Sequence, residues 1–232
     1  MKLLTLLCVL GVLQALYACA SSGSATGPSA ASSPPQTTDD GLQLKTHTAN
    51  RVVYVKPGAT FGKYNSVKLL DLYVQFQKDW QRNYNSNTPD LSNQVTDQKM
   101  AQMKQALATE FKRIFTQELQ KGGYQVVTNP GPDVLLLRPA IINLEVTAPD
   151  VMSAGMNANF VSSAGSGTLY LELWDSATNT LLARVMDAEA DQQPFARQAN
   201  AVTNTQAADI IITGWADDLV RHLDAVKGKT GQ

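Results

Sequence analysis

The stretch "TLYLELWDSATNTLLARVMDAEAD", residues 168–191, decides the architecture. Leu169, Leu171 and Leu173 recur at the period of two that puts them on one face of a strand. A polar turn around residues 176–180 follows, and a second β-rich run extends from Leu181 to about Asp191. Two such runs joined by so short a link pair antiparallel, as a β-hairpin. Downstream, "TQAADIIITGWADDLVRHLDAVKG" repeats Ile211, Trp215, Leu219 and Leu223 every four residues, one stripe of an amphipathic helix ending near Gly228. Asp217, Asp218 and Arg221 fall outside that stripe.

Upstream, "DVLLLRPAIINLEVTAP", residues 133–149, predicts a strand with Ala140, Ile142, Leu144 and Val146 on one side and Asn143, Glu145 and Thr147 on the other. Pro139 lacks an N–H and marks an edge or an irregularity. Thr96 caps a predicted helix whose apolar residues Met100, Met103, Leu107, Phe111, Ile114 and Leu119 recur every three to five positions, with Lys121 and Gly122-Gly123 as its stop. "YQVV" at 124–127 is a strand, and a strand–helix–strand connection of this length makes the flanking strands parallel. "RVVYVKPG" at 51–58 and "SVKLLDLYVQF" at 66–76 supply further strands. The sum is an α+β fold: a single mixed, mostly antiparallel sheet with two long amphipathic helices packed on one face.

Of the 232 residues, 44% are apolar, enough for one sizeable core. The 19 basic and 20 acidic residues leave a net charge of −1 and no basic run to follow a phosphate backbone, which excludes nucleic acid as a partner. The two cysteines, Cys8 and Cys19, both belong to the N-terminal apolar run, so the downstream domain has neither disulfide framework nor thiolate chemistry.

Lys2 followed by the apolar residues 3–16 has the charge and length of an export signal, too short to cross about 30 Å of hydrocarbon. Residues 16–19, LYAC, resemble the lipobox of bacterial lipoproteins, in which the chain is cut before the cysteine and the cysteine is acylated; the alternative is plain secretory cleavage near Ala18 or Ala20. The resemblance implies a signal peptide at 1–18 and a lipidated Cys19 that tethers the protein to a membrane. Ala20 in place of Asp implies the outer membrane, periplasmic side. Residues 19–45 read as that lipidated cysteine plus a Ser/Ala/Pro-rich flexible linker, residues 46–228 as the globular domain and 229–232 as a tail.

Candidate chemistry is sparse. "GATFGKY" at 58–64 has the wrong glycine spacing for a phosphate loop, and Tyr64 stands where a hydroxyl must reach Mg²⁺. Asp187, Glu189 and Asp191 face one way along a strand, a weak candidate for Ca²⁺ because a straight row converges poorly on one ion. His222, near the end of the last helix, suits a capping or surface role. "WQRNY" at 80–84 is the best ligand or partner contact: Trp80 and Tyr84 offer stacking faces and Arg82 an anion partner, or else Trp80 is a buried pin.

The ordered set "YVKPGATFGKY", "DLYVQFQKDWQRNY", "GGYQVV", "PDVLLLRPAIINLEVTAPD", "GTLYLELWDSATNTLLARVMDAEAD" and "AADIIITGWADDLVRHLD" resembles a family of Gram-negative envelope lipoproteins catalogued as domain of unknown function 3313, from about Tyr54 to Leu223. The resemblance carries over no functional residue beyond Cys19. The expectation is a lipid-anchored, non-enzymatic binding or accessory module without a cofactor, meeting an envelope protein or peptidoglycan; a carboxylate-dependent hydrolase of an envelope polymer is the alternative.

Overall fold

The computed structural model describes residues 33–147, 149, 160–161, 165–191, 197–198 and 201–227. Of the two units into which the chain divides, Met1–Ser33 and Pro34–Gln232, the second carries this architecture. The signal segment, Cys19 and the tail 229–232 lie outside the described residues.

In chain order the elements are β1 (Gln43–His47), β2 (Arg51–Val55), β3 (Ser66–Leu69), β4 (Tyr73–Phe76), α1 (Trp80–Ser86), a 3₁₀ turn (Leu91–Asn93), α2 (Asp97–Lys121), β5 (Gln125–Val126), β6 (Val134–Val146), β7 (Phe160–Val161), β8 (Gly165–Asp175), β9 (Thr180–Ala190), β10 (Arg197–Gln198) and α3 (Ala201–Val226). The β8–β9 hairpin forms as its alternation predicts, with Leu169, Leu171 and Leu173 buried. Around it grows one mixed sheet of eight strands in the order β1-β2-β9-β8-β6-β3-β5, with β4 added beside β6. The pairs β1–β2, β2–β9, β9–β8 and β8–β6 are antiparallel, whereas β3 runs parallel to both β6 and β5, and β4 parallel to β6. β7 and β10 form a separate two-stranded ladder.

Both long helices pack on one sheet face. Phe111, Ile114, Phe115 and Leu119 of α2 and Ile212, Trp215, Ala216, Leu219 and Leu223 of α3 meet Val67, Leu135, Leu137, Ile141 and the three hairpin leucines in a single core. Each fully buried large apolar side chain stabilises the fold by about 1.5–3 kcal/mol. Thr96 caps α2 as predicted, its hydroxyl accepting from Lys99 N–H. Phe76, Trp80 and Val95 make a smaller cluster under α1.

Three readings of the sequence need correction. In β6 the core-facing residues are Leu135, Leu137, Pro139 and Ile141, the opposite parity from Ala140 and Ile142. Asn143 has φ 52°, and the ladder to β8 steps from Ile142↔Thr168 to Glu145↔Ser166, so β6 holds one residue more than its partner. That bulge reverses the alternation and brings Leu144 and Val146 to the core side, which is why the strand seemed to keep one phase throughout. Residues 66–76 form two strands instead of one. Leu70 N–H donates to Leu137 O, so odd-numbered residues of β6 up to Ile141 address that neighbour; Pro139, the next odd position, has no N–H to offer, and its place coincides with the break between β3 and β4.

Order also begins earlier than a linker to residue 45 implies. Leu42 is buried, Leu44 N–H donates to Gln36 O, Tyr54 Oη donates to Pro35 O, and β1 itself starts at Gln43. The apolar pair Leu42 and Leu44 gives this arm enough to bury, despite its polar surroundings.

Candidate functional site

Helix α3 stands over two adjoining spaces, a polar one along Ile210 to Arg221 and an apolar one along Asn204 to Trp215. One, of about 920 Å³, lies between α3 and the ends of β6, β8 and β9 and reaches Arg51 on β2. The other, of about 590 Å³, lies between the amino halves of α2 and α3, with Ile141 and Leu144 of β6 beneath. Glu145, Ser166, Gly167, Ile211 and Trp215 border both.

The sequence opens this region by withholding bulk. Gly165 has φ 153°, and a Cβ there would stand 2.0 Å from Glu145 O, so β6 and β8 approach through bare backbone. Gly167 likewise leaves room in front of Ile141, where a Cβ would come within 3.3 Å of Cγ2. As a result Met103 and Leu107, on the apolar stripe of α2, and Ala208 and Ile211 of α3 stay only half-buried.

The larger space is polar. Arg51 is its hub: Nε donates to Asp187 Oδ2 at 3.0 Å, and Nη2 binds both Asp187 and Asp218, tying β9 to α3. Asp218 also pairs with Arg221 one turn on, and His222 donates from Nδ1 to Asp218 O at 2.7 Å. Partial burial, together with the charges of Arg51 and Arg221, holds His222 below the ordinary imidazole range, so it carries less positive charge at the helix end than its position suggests.

Of the acidic row predicted from alternation, Glu189 and Asp191 stand at the mouth of this space, and Asp187 is buried beside it. Asp187 is spent on Arg51, and Glu189 is exposed. Among the described residues no three His, Cys, Asp or Glu side chains are grouped to hold a metal. The aromatic candidate lies elsewhere. Trp80 is 7% exposed, its ring stacked on Phe76 at 4.5 Å and on Tyr84 at 5.7 Å, and Arg82 bridges to Asp79 at 3.1 Å. Trp80 is thus a buried side chain with little surface to offer a ligand, while Arg82 beside it is exposed.

At the edge of the apolar groove, Glu110 of α2 and Asp209 of α3 are both paired with Arg113, at 3.5 Å for Asp209. Burial first, and then the Glu110 charge, raise the Asp209 carboxyl above its usual range, while Arg113 holds Glu110 below its own. Arg51, Trp215 and this carboxyl pair were invisible in the sequence as site residues, although the i, i+3 spacing of Asp218 and Arg221 is a signal that could have paired those two.

A family model described as a protein of unknown function (DUF3313) matches residues 36–219. The chain belongs to that family. Solved structures similar to this DUF3313 protein include the PelC dodecamer from Paraburkholderia phytofirmans, at 12% identity over 71% of this chain and 96% of that one with a TM-score of 0.35. A minor lipoprotein from Acinetobacter baumannii is 11% identical over 70% of this chain and 94% of its own, TM-score 0.32. A DUF4136 family protein from Bacteroides thetaiotaomicron is 10% identical over 78% and 98%, TM-score 0.34. No curated protein matches the chain.

Proposed function

We propose that this DUF3313 protein is a lipid-anchored envelope protein that acts as a binding module, without chemistry of its own, through the cleft beneath α3. The observation that carries the reading is the pairing of an apolar groove with a polar mouth across a shared wall, the usual make-up of a ligand site. The lipobox-like residues 16–19 support acylation at Cys19, and Ala20 supports the outer membrane, periplasmic side. An envelope protein or peptidoglycan is the class of partner that such an address favours.

Labelled palmitate fed to cells should enter the wild-type protein and not Cys19→Ala. A photo-crosslinking residue at Ile210, exposed on the cleft lip, should capture an envelope component that the same residue at Arg138, on the opposite sheet face, does not. Unlabelled wild-type protein refutes the anchor, and equal capture at both positions refutes the cleft.

A second reading, the carboxylate-dependent hydrolase, is favoured by one observation: Glu110 and Asp209 face each other beside Arg113 and are pushed apart in acidity, the first lowered chiefly by Arg113 and the second raised chiefly by burial, the direction in which an acid and a base differ. Under that reading Glu110→Gln and Asp209→Asn each abolish hydrolysis of purified peptidoglycan with the circular dichroism unchanged. If wild type releases no fragments, or both variants keep full turnover, that reading is removed.

A further inference from the structure

The two halves of the cleft differ in what they lack. In the groove, Met103 and Leu107 of α2 belong to an apolar stripe that continues past the point where the helices touch: a Cβ at Gly122 would meet Val220 Cγ1 at 2.5 Å, so the carboxyl ends are in contact, while the amino halves leave about 590 Å³ between them. That size falls within the roughly 300–1,000 Å³ of small-molecule sites. Met103 packs against the Phe76–Trp80–Val95 cluster and Leu107 against the main core, yet both stay half-buried, so part of each side chain faces the trough.

Among the described residues, the mouth's two cations are both already paired. Arg51 is committed to Asp187 and Asp218, and Arg221 to Asp218. Glu145, Glu189 and Asp217, all exposed at the rim, have no ion-pair partner among the described residues. A concave rim carrying one uncompensated sign concentrates ions of the other.

We infer that the cleft takes a single-chain amphiphile with a cationic head, its hydrocarbon chain along the groove between α2 and α3 and its ammonium or guanidinium group among Glu145, Glu189 and Asp217. An anionic head would add to the three carboxylates instead of answering them. This ligand class rests on the reading of the protein as a binding module and narrows it.

The test is calorimetric titration of the full chain, held in a non-ionic amphipol, with dodecylammonium and with dodecanoate below their micelle concentrations. Dodecylammonium should bind at least tenfold more tightly, and butylammonium, which has the head but no chain, should not bind. The triple variant Glu145→Gln, Glu189→Gln, Asp217→Asn should bring the two dodecyl probes to equal affinity. Ala106→Trp, an exposed position on the groove wall, should weaken both at least tenfold without disturbing the core. Equal affinities in the wild type, tighter binding of dodecanoate, no binding of either, or indifference to Ala106→Trp each overturn the inference. Capture at Ile210 decides the broader binding reading separately, because it does not depend on the charge of any probe.

Discussion

Asp175 closes the β8–β9 turn and collects more partners than any other side chain near it. Lys63 Nζ donates to it at 2.6 Å, Tyr64 Oη at 2.8 Å, and the backbone N–H groups of Ala177 and Thr178 at 3.0 and 2.9 Å. Those donors, Lys63 foremost, hold its carboxyl far below the ordinary value of 3.8. A carboxyl depressed on folding contributes stability that is complete above its unfolded pKa and is lost as the pH falls toward the folded one. Asp175→Asn should therefore lower the thermal midpoint at pH 7 and flatten its decline below pH 4; a variant whose acid limb follows wild type removes this account. The alkaline side has the opposite sign. Burial, with a hydrogen bond to a carboxylate, pushes Tyr64 and Tyr170 from 10.0 up to about 12, so stability falls as the pH rises between those values. Absorbance of tyrosinate should appear for these two only together with loss of secondary structure. Asn143 makes a different point about legibility. Its φ of 52° is a conformation that Asn tolerates and β-branched residues resist, so Asn143→Val should cost about 1–2 kcal/mol in denaturant unfolding and Asn143→Gly far less. Alternation of residue types is blind to such a bulge, because Ile142 and Leu144 remain apolar on either side of the reversal. Asp175 was equally hidden, its partners Lys63 and Tyr64 being brought by the loop between β2 and β3.

Elements were legible in proportion to how local their causes are. The cap at Thr96, the stripe of α2 and the alternation of β8 are each written within a few residues, and each formed where predicted. Thr96→Ala should cost about 1 kcal/mol, read as a lower urea midpoint at unchanged slope. What the sequence withheld is adjacency: that β3 and β4 share one side of β6, and that the arm at residues 34–42 belongs to the domain. The first depends on a missing N–H at Pro139, which marks an irregularity without saying which neighbour pays for it. The contact between helices is similarly nonlocal. Gly122 has an ordinary backbone conformation, and its need to be small comes only from Val220, so Gly122→Ala should destabilise by about 1–3 kcal/mol and Val220→Ala in the same chain should recover part of that loss. Independent, additive losses in the double variant would show that the two positions do not meet.

For the whole molecule, the arm is the part most open to test. Leu42 is 1% exposed, Asp40 pairs with Arg184 and Pro35 receives the hydroxyl of Tyr54, so Leu42→Ala should cost about 2–5 kcal/mol, a core value and not a linker value. The candidate site is also a property of the whole. Its walls come from β2, β6, β8, β9 and both long helices, and the acidic row on β9 was the one piece of it that a single strand could announce. β2, among the first strands to be synthesised, pairs with β1 beside it in sequence but finds its other neighbour only in β9, with Tyr54 opposite Arg184. A chain delivered amino end first must therefore carry two strands with open rims until nearly all the rest has arrived, and that interval, more than the finished fold, is when it is exposed to wrong company and most in need of a chaperone.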